Sequence, residues 1–235
     1  MSAMVAALEL DVRLQARSNL YRIGVVVAAL FGVAIRYLVP PELVGRFLGA
    51  FYLVAVGGTT YLFGASMVLL EKSERTLEAL RASPLRAREY IAAKALTLSA
   101  FAVVEGAILV AVAGRGTLRS PLHLLVGILV LGICYTLVGI GQVAPHRSVT
   151  GFLFPGAVVV SLVLQLPVFY VAEIGPPAIW YAIPSQGPLL LLMGAFEPIG
   201  GGRLAYAVGV SAGAVWASYA FARARIRSHI GIAER

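Results

Sequence analysis

Stretches almost free of charge recur along the chain at 22–39, 47–70, 92–114, 121–145, 149–172 and 203–222. About 20 consecutive apolar residues let a helix cross a bilayer, so the pattern predicts six membrane spans. A seventh uncharged stretch, 174–196, is broken by Pro176, Pro177, Pro184 and Pro188, and its longest unbroken apolar run, 189–196, is too short to cross. Irregular backbone persists at membrane depth only where protein or a water-filled cavity surrounds it. The segment 174–198 is therefore expected to be a re-entrant or interfacial hairpin at the outer surface.

Composition excludes a soluble globular protein. Of 235 residues, 60% are hydrophobic and 13% charged, with a mean hydropathy of +0.88, whereas soluble domains carry about 25% charged residues. The formal charge of +8 would suggest nucleic acid in a soluble chain, but its placement has another explanation. With both ends in the cytoplasm, Arg13, Arg17, Arg22, Lys72, Arg75, Arg81, Arg86, Arg88, Lys94, Arg147, Arg223, Arg225, Arg227 and Arg235 fall inside. Only Arg36, Arg46, Arg115, Arg119 and Arg203 fall outside, as the positive-inside rule requires. A seventh span would turn the Arg223, Arg225, Arg227 cluster outward. The basic balance then reflects insertion and contact with anionic membrane lipids, and no nucleic-acid partner is expected. Residues 1–20 hold Glu9, Asp11, Arg13 and Arg17 and lack a signal peptide's apolar core. The lone Cys134 sits in an apolar run, and His123, His146 and His229 are far apart, so no disulfide or metal site is expected.

The longest charged connection, 71–90, lies between the second and third spans on the cytoplasmic side. Strong helix formers, the pairs Glu71/Arg75, Arg75/Glu78 and Glu78/Arg81, and the neighbouring Leu77 and Leu80 predict a charged helix with a small apolar spot. Ser83 as N-cap and Pro84 at the first helical position predict a second helix leading into the third span. On spacing alone this is either a docking knob or a solvated loop whose charges obey the inside rule.

The run Glu71-Lys-Ser-Glu-Arg-Thr-Leu-Glu-Ala-Leu-Arg-Ala-Ser-Pro-Leu-Arg-Ala-Arg-Glu-Tyr-Ile-Ala-Ala-Lys94 strongly resembles the loop of ABC-2 type permeases, the membrane subunits of ABC exporters. The opening segment, with its Asp11, Arg13 and Arg17, is similar to that of the fluoroquinolone-export permease group within that family. The resemblance implies that residues 4–20 form an interfacial helix on the cytoplasmic surface. It implies that Glu71, Glu74, Arg75, Leu77, Glu78, Leu80, Arg81 and Pro84 couple to an ATPase, with Glu74 to Pro84 as the coupling helix. It also implies two copies of the chain and two separate ABC ATPase subunits. Neither Lys72 nor Lys94 follows a glycine as a P-loop requires, so the chain is expected to be no enzyme and to bind no cofactor, with ATP and Mg held by the partner.

Glu105 is the acidic residue well inside a span, and ionisable groups at such depth are functional candidates by default; the alternative is a protonated or paired structural carboxyl. Thr59, Thr60, Tyr61, Gln142 and Gln165 could add polar lining to a translocation path, and in the resembling family the second and fifth spans border that path. Pro155 and Pro167 are expected to kink the fifth span, and Trp180 and Tyr181 to sit at the outer headgroup level.

The expectation is an all-α polytopic membrane protein of one domain, 1–235, with six transmembrane helices, an N-terminal interfacial helix, a coupling loop at 71–90 and an outer hairpin. It would act in a prokaryotic inner membrane as an ABC-2 permease exporting an amphipathic or hydrophobic small molecule or lipid. Two rivals stay open: an ion-coupled carrier using Glu105, and a scaffold that binds an ATPase without transport.

Overall fold

The computed structural model describes residues 3–82, 85–114 and 118–231. Among these the chain is entirely helical. In order, α1 (Ala3–Arg17) and α2 (Leu20–Leu38) are separated by a break at Asn19, whose φ is 58°. A 3₁₀ turn (Pro41–Leu43), α3 (Val44–Tyr52), a π-helical turn (Leu53–Gly57) and α4 (Gly58–Ser73) run on as one 33-residue span. The short α5 (Thr76–Ala82) precedes α6 (Ala87–Ala113) and α7 (Pro121–Val143). The fifth span is α8 (Val149–Val159), a second π turn (Val160–Leu164) and α9 (Val168–Val171). Two short helices, α10 (Pro177–Trp180) and α11 (Gln186–Gly194), lead to α12 (Gly201–His229). Six of these segments are long and apolar enough to cross a membrane, and the chain is a multi-pass membrane protein.

Local chemistry sets the ends. Pro121 opens α7 behind Ser120, whose hydroxyl accepts from His123 N at 3.3 Å, and the Ser148 hydroxyl accepts from Gly151 N at 3.2 Å at the start of α8. The third span starts later than the Ser83 and Pro84 signal predicts. Leu85 and Arg86 are outside the helix, Arg86 is extended, and the Glu89 carboxylate caps the Arg86 amide at 2.9 Å, so α6 begins at Ala87; Ser83 and Pro84 themselves lie outside the described residues. Arg115 and Arg235 lie outside them as well.

Small residues decide which spans meet. On α2 the buried row Leu20, Gly24, Ala28, Gly32 and Ile35 lies against α6, where a Cβ on Gly32 would come within 2.9 Å of the Leu109 carbonyl. Between α4 and α7 the backbones touch: a Cβ on Gly139 would sit 2.3 Å from Tyr61 O, and one on Gly64 2.9 Å from Thr136 O. Without a hydrophobic drive in lipid, such close backbone approach supplies the dispersion that holds helices together. The second and fourth spans form the inside of the bundle, 72% and 67% buried over their most apolar stretches, against 17% for the fifth and sixth.

The proline-broken stretch holds no helix long enough to cross. Its helices are the short α10 and α11, and Leu189 to Leu192 are buried where α11 wedges between α3, α7 and α12. Gly127 admits Leu192, Gly49 admits Met193, and Gly187 lies against Ala207 and Ser211. Main-chain bonds from Arg119 N and Ser120 N to Ala195 O, 2.8 and 3.1 Å, close the far end.

Candidate coupling surface and polar bonds between spans

The connection 71–82 is not one helix. The α4 helix ends at Ser73, Arg75 takes the left-handed conformation with φ 58°, and α5 restarts at Thr76, whose hydroxyl donates to Glu71 O at 3.1 Å. Glu71 and Arg75 therefore do not share the helix face that their spacing predicts. Glu71 is also the exception among the acidic residues assigned to the coupling surface, because it is 2% exposed. Glu74, Arg75 and Glu78 are exposed, whereas Leu77 is buried and Leu80 partly so, which fastens the apolar side of α5 to the bundle. Arg81 lies in α5, but its side chain is outside the described residues.

Beneath this surface lies a cluster that sequence reading missed. Lys94, fully buried on α6, donates to Glu71 Oε1 at 2.5 Å and to Asp11 Oδ1 at 2.8 Å, and the Tyr90 hydroxyl donates to Glu71 Oε2 at 2.5 Å. Two carboxylates and one ammonium thus join α1, α4 and α6. Burial pushes the Asp11 carboxyl above the usual carboxylate range, and the Lys94 charge pulls it part of the way back. Next to it, Gln15, without exposed surface, donates to Thr97 Oγ1 at 2.8 Å and accepts from the Tyr21 hydroxyl at 3.0 Å. The inward side of α1 is therefore Ala7, Asp11, Leu14 and Gln15, half polar, because its partner on α6 is polar. Arg13 and Arg17 point outward; Arg13 pairs with Glu9, and Arg17 pairs with Glu74 and so ties α1 to the start of the 71–82 connection. Tyr90 and Lys94 follow the Ser-Pro elbow at i and i+4, which was the available signal for a shared face.

Lys72 makes a second joint. Its ammonium donates to Val143 O, Ala144 O and His146 O at 3.2, 2.6 and 2.7 Å, using all three protons to finish the carboxyl end of α7.

Deeper in the bundle, the polar residues read as path lining are used between spans, Thr60 excepted. The Glu105 carboxyl meets the Thr59 hydroxyl at 2.8 Å, joining α6 to α4, and Gly24 on α2 leaves room for its other oxygen. Thr60 is fully buried and bonds to its own helix, donating toward Val56 O and Gly57 O in the π turn. The Tyr61 hydroxyl donates to Gln142, and Gln142 Nε2 donates to Pro155 O at 2.7 Å, so three spans meet at that proline. Pro155 lies within α8 without ending it, while the break in the fifth span comes at the π turn and Pro167. Gln165, half buried, reaches Val54 O at 3.4 Å. The Tyr135 hydroxyl, not singled out in the sequence, donates to Leu164 O at 2.6 Å. Gln186, Ser185 and Ser211 are further buried polar residues around α11 that sequence reading did not single out. At the far end Glu173 pairs with Arg46 at 2.8 Å, and Tyr181 packs among Tyr170 and Tyr206. Among the described residues no His, Cys, Asp and Glu group is arranged to hold a metal ion.

Comparison with known proteins agrees with this architecture. The fluoroquinolones export permease protein family matches residues 2–233. Two fluoroquinolones export permease proteins of Mycobacterium tuberculosis, from strains CDC 1551 / Oshkosh and H37Rv, are each 33% identical over 202 residues, covering 85% of this chain and 83% of theirs. This multi-pass chain, with an exposed helix seated on a buried ion cluster, belongs to the fluoroquinolones export permease protein family.

Proposed function

We propose that the chain is the transport subunit of an ATP-driven exporter that moves amphipathic drug-like molecules of the fluoroquinolone kind out of the cytoplasm or inner leaflet, coupled to a separate ATPase subunit. The observation that carries this reading is the anchoring of α5. Glu74 and Arg75 just before it and Glu78 on it are exposed, while Leu77 packs into the bundle and the Thr76 hydroxyl donates to the main chain of Glu71, whose carboxylate is joined through Lys94 to Asp11. A partner that pushes on α5 would act on α1, the second span and the third together, because breaking a buried ion pair is costly. In this reading both chain ends and α5 face the cytoplasm of a prokaryote, α1 lies along the inner membrane surface, and the α10 to α11 hairpin is outside. Two copies of the chain work with two ATPase subunits that bind ATP and Mg. The bonds of Tyr61, Gln142, Gln165 and Thr59 are those that would exchange as the spans part to admit cargo.

The test is cargo-stimulated ATP hydrolysis by the chain reconstituted with the ATPase encoded beside it. Glu78→Arg is expected to lower stimulation at least tenfold while insertion and yield stay normal; undiminished stimulation would overturn the coupling role of α5. Glu105→Gln is expected to leave ATP-dependent export in place, since its bond to Thr59 survives. Loss of export together with dependence on a proton gradient would favour an ion-coupled carrier instead.

A further inference from the structure

A concave surface of about 450 Å³ opens at the α5 end of the bundle, lined by Lys72, Arg75, Glu78, Pro145, Arg147 and His229 among others. Three fixed cations, Lys72, Arg75 and Arg147, face one carboxylate, Glu78, which leaves a surplus of two positive charges before His229 is counted. Neither Arg75 nor Arg147 forms an ion pair among the described residues. The Lys72 side chain gives all its protons to carbonyls, so hydrogen bonds to an occupant fall to the two guanidinium groups. Planar guanidinium forks match the oxygens of a phosphate.

The height of the cleft in the membrane selects the source of that phosphate. Its walls are the ends of spans: Lys72 closes the second, Pro145 and Arg147 connect the fourth to the fifth, and His229 is the last residue of α12. The 29 residues of α12 rise about 44 Å, close to the full thickness of about 40–45 Å that includes both headgroup layers. The His229 end, and the cleft with it, therefore lies among headgroups. Immediately after Arg147, Val149 and Leu153 are 57% and 53% exposed on α8, an apolar track that an acyl chain could follow. Basic recesses between spans on the cytoplasmic side are a recurrent means of holding acidic lipids.

We propose that this cleft binds the phosphate of an anionic phospholipid headgroup. Only the naming of this side as cytoplasmic rests on the function proposed above; the binding does not.

The experiment is the unfolding temperature of the purified full-length chain in neutral detergent, without any ATPase, titrated with phosphatidylglycerol, phosphatidylcholine or inorganic phosphate. Ligand that binds the folded state raises that temperature in a saturable way. Phosphatidylglycerol is expected to do so and the other two are not. In the Arg147→Gln, His229→Gln double variant, at positions outside the coupling surface, the midpoint should move to at least tenfold higher lipid. Native mass spectrometry of the wild-type chain, expected to retain bound phosphatidylglycerol selectively, covers the case of a double variant that does not fold. Equal stabilisation by phosphatidylcholine, an unshifted midpoint in the double variant, or no retained acidic lipid would overturn the proposal. Stabilisation by inorganic phosphate that competes with the lipid would also overturn it, in favour of a free anion. Each outcome reads the same whether or not the chain exports a drug, so failure here is distinct from failure of the transport reading.

Discussion

The second and fifth spans carry the same irregularity in opposite surroundings. Each contains a five-residue π turn, Leu53–Gly57 in one and Val160–Leu164 in the other. In the second span four of those five residues are buried; in the fifth none is. A π turn upsets the regular ladder of carbonyl bonds, and such turns often mark functional positions. The second span answers with Thr59, Thr60 and the opposing Gln165, which bond to carbonyls within the turn, and with Gly57 fitted against the Tyr135 ring. The fifth has few bonds of its own making and hangs from its neighbours by Tyr135 to Leu164 O and Gln142 to Pro155 O. The lesson is that one span is fixed by packing within the chain and the other is held by a handful of polar contacts.

The largest test of this contrast is at the foot of the second span. Lys94→Met leaves Glu71 and Asp11 buried without their cation, a loss of about 3–5 kcal/mol, and denaturant titration of the purified chain should show it as a collapse of folded yield. Inside the bundle, Gly139→Ala forces a methyl group to within 2.3 Å of the Tyr61 carbonyl. Overpacking of that kind costs about 1–3 kcal/mol, readable as a lower midpoint of unfolding. Tyr135→Phe removes the tether on Leu164 O and should cost about 1 kcal/mol, while speeding hydrogen exchange in the fifth span and leaving the second unchanged; equal protection in both spans would break the comparison. Smallest of all, Phe154→Ala, at a site 77% exposed on α8, should shift stability by less than about 0.5 kcal/mol. A large loss there would mean that the fifth span is packed against something, such as a second copy of the chain.

Much of the fold was legible because lipid makes hydropathy a direct reading of position. The six spans follow from uncharged length, and the proline-broken 174–198 stretch holds no helix of that length, its longest, α11, having nine residues. Bounds shifted where side chains intervene, as at α6, where Glu89 rather than Ser83 sets the start. The site was less legible. Glu74, Arg75 and Glu78 are exposed, but Arg75 sits in a left-handed break between α4 and α5, so the one continuous charged helix that the spacing predicted is two, and Glu71 lies on the buried side of α4. Nothing in the local pattern announces that a lysine on the third span waits 23 positions away.

By itself, then, the sequence determined the number of spans and the presence of a charged connection between the second and third, since each depends on burial in lipid or on short-range spacing. The tertiary structure alone decided which polar groups are partners. Asp11 and Lys94 are 83 positions apart, and Tyr61 and Gln142 are 81 apart. A buried polar group takes the partners that the packing brings to it, and that placement is fixed by glycine contacts between helices, such as Gly139 on Tyr61, which no one-dimensional period contains.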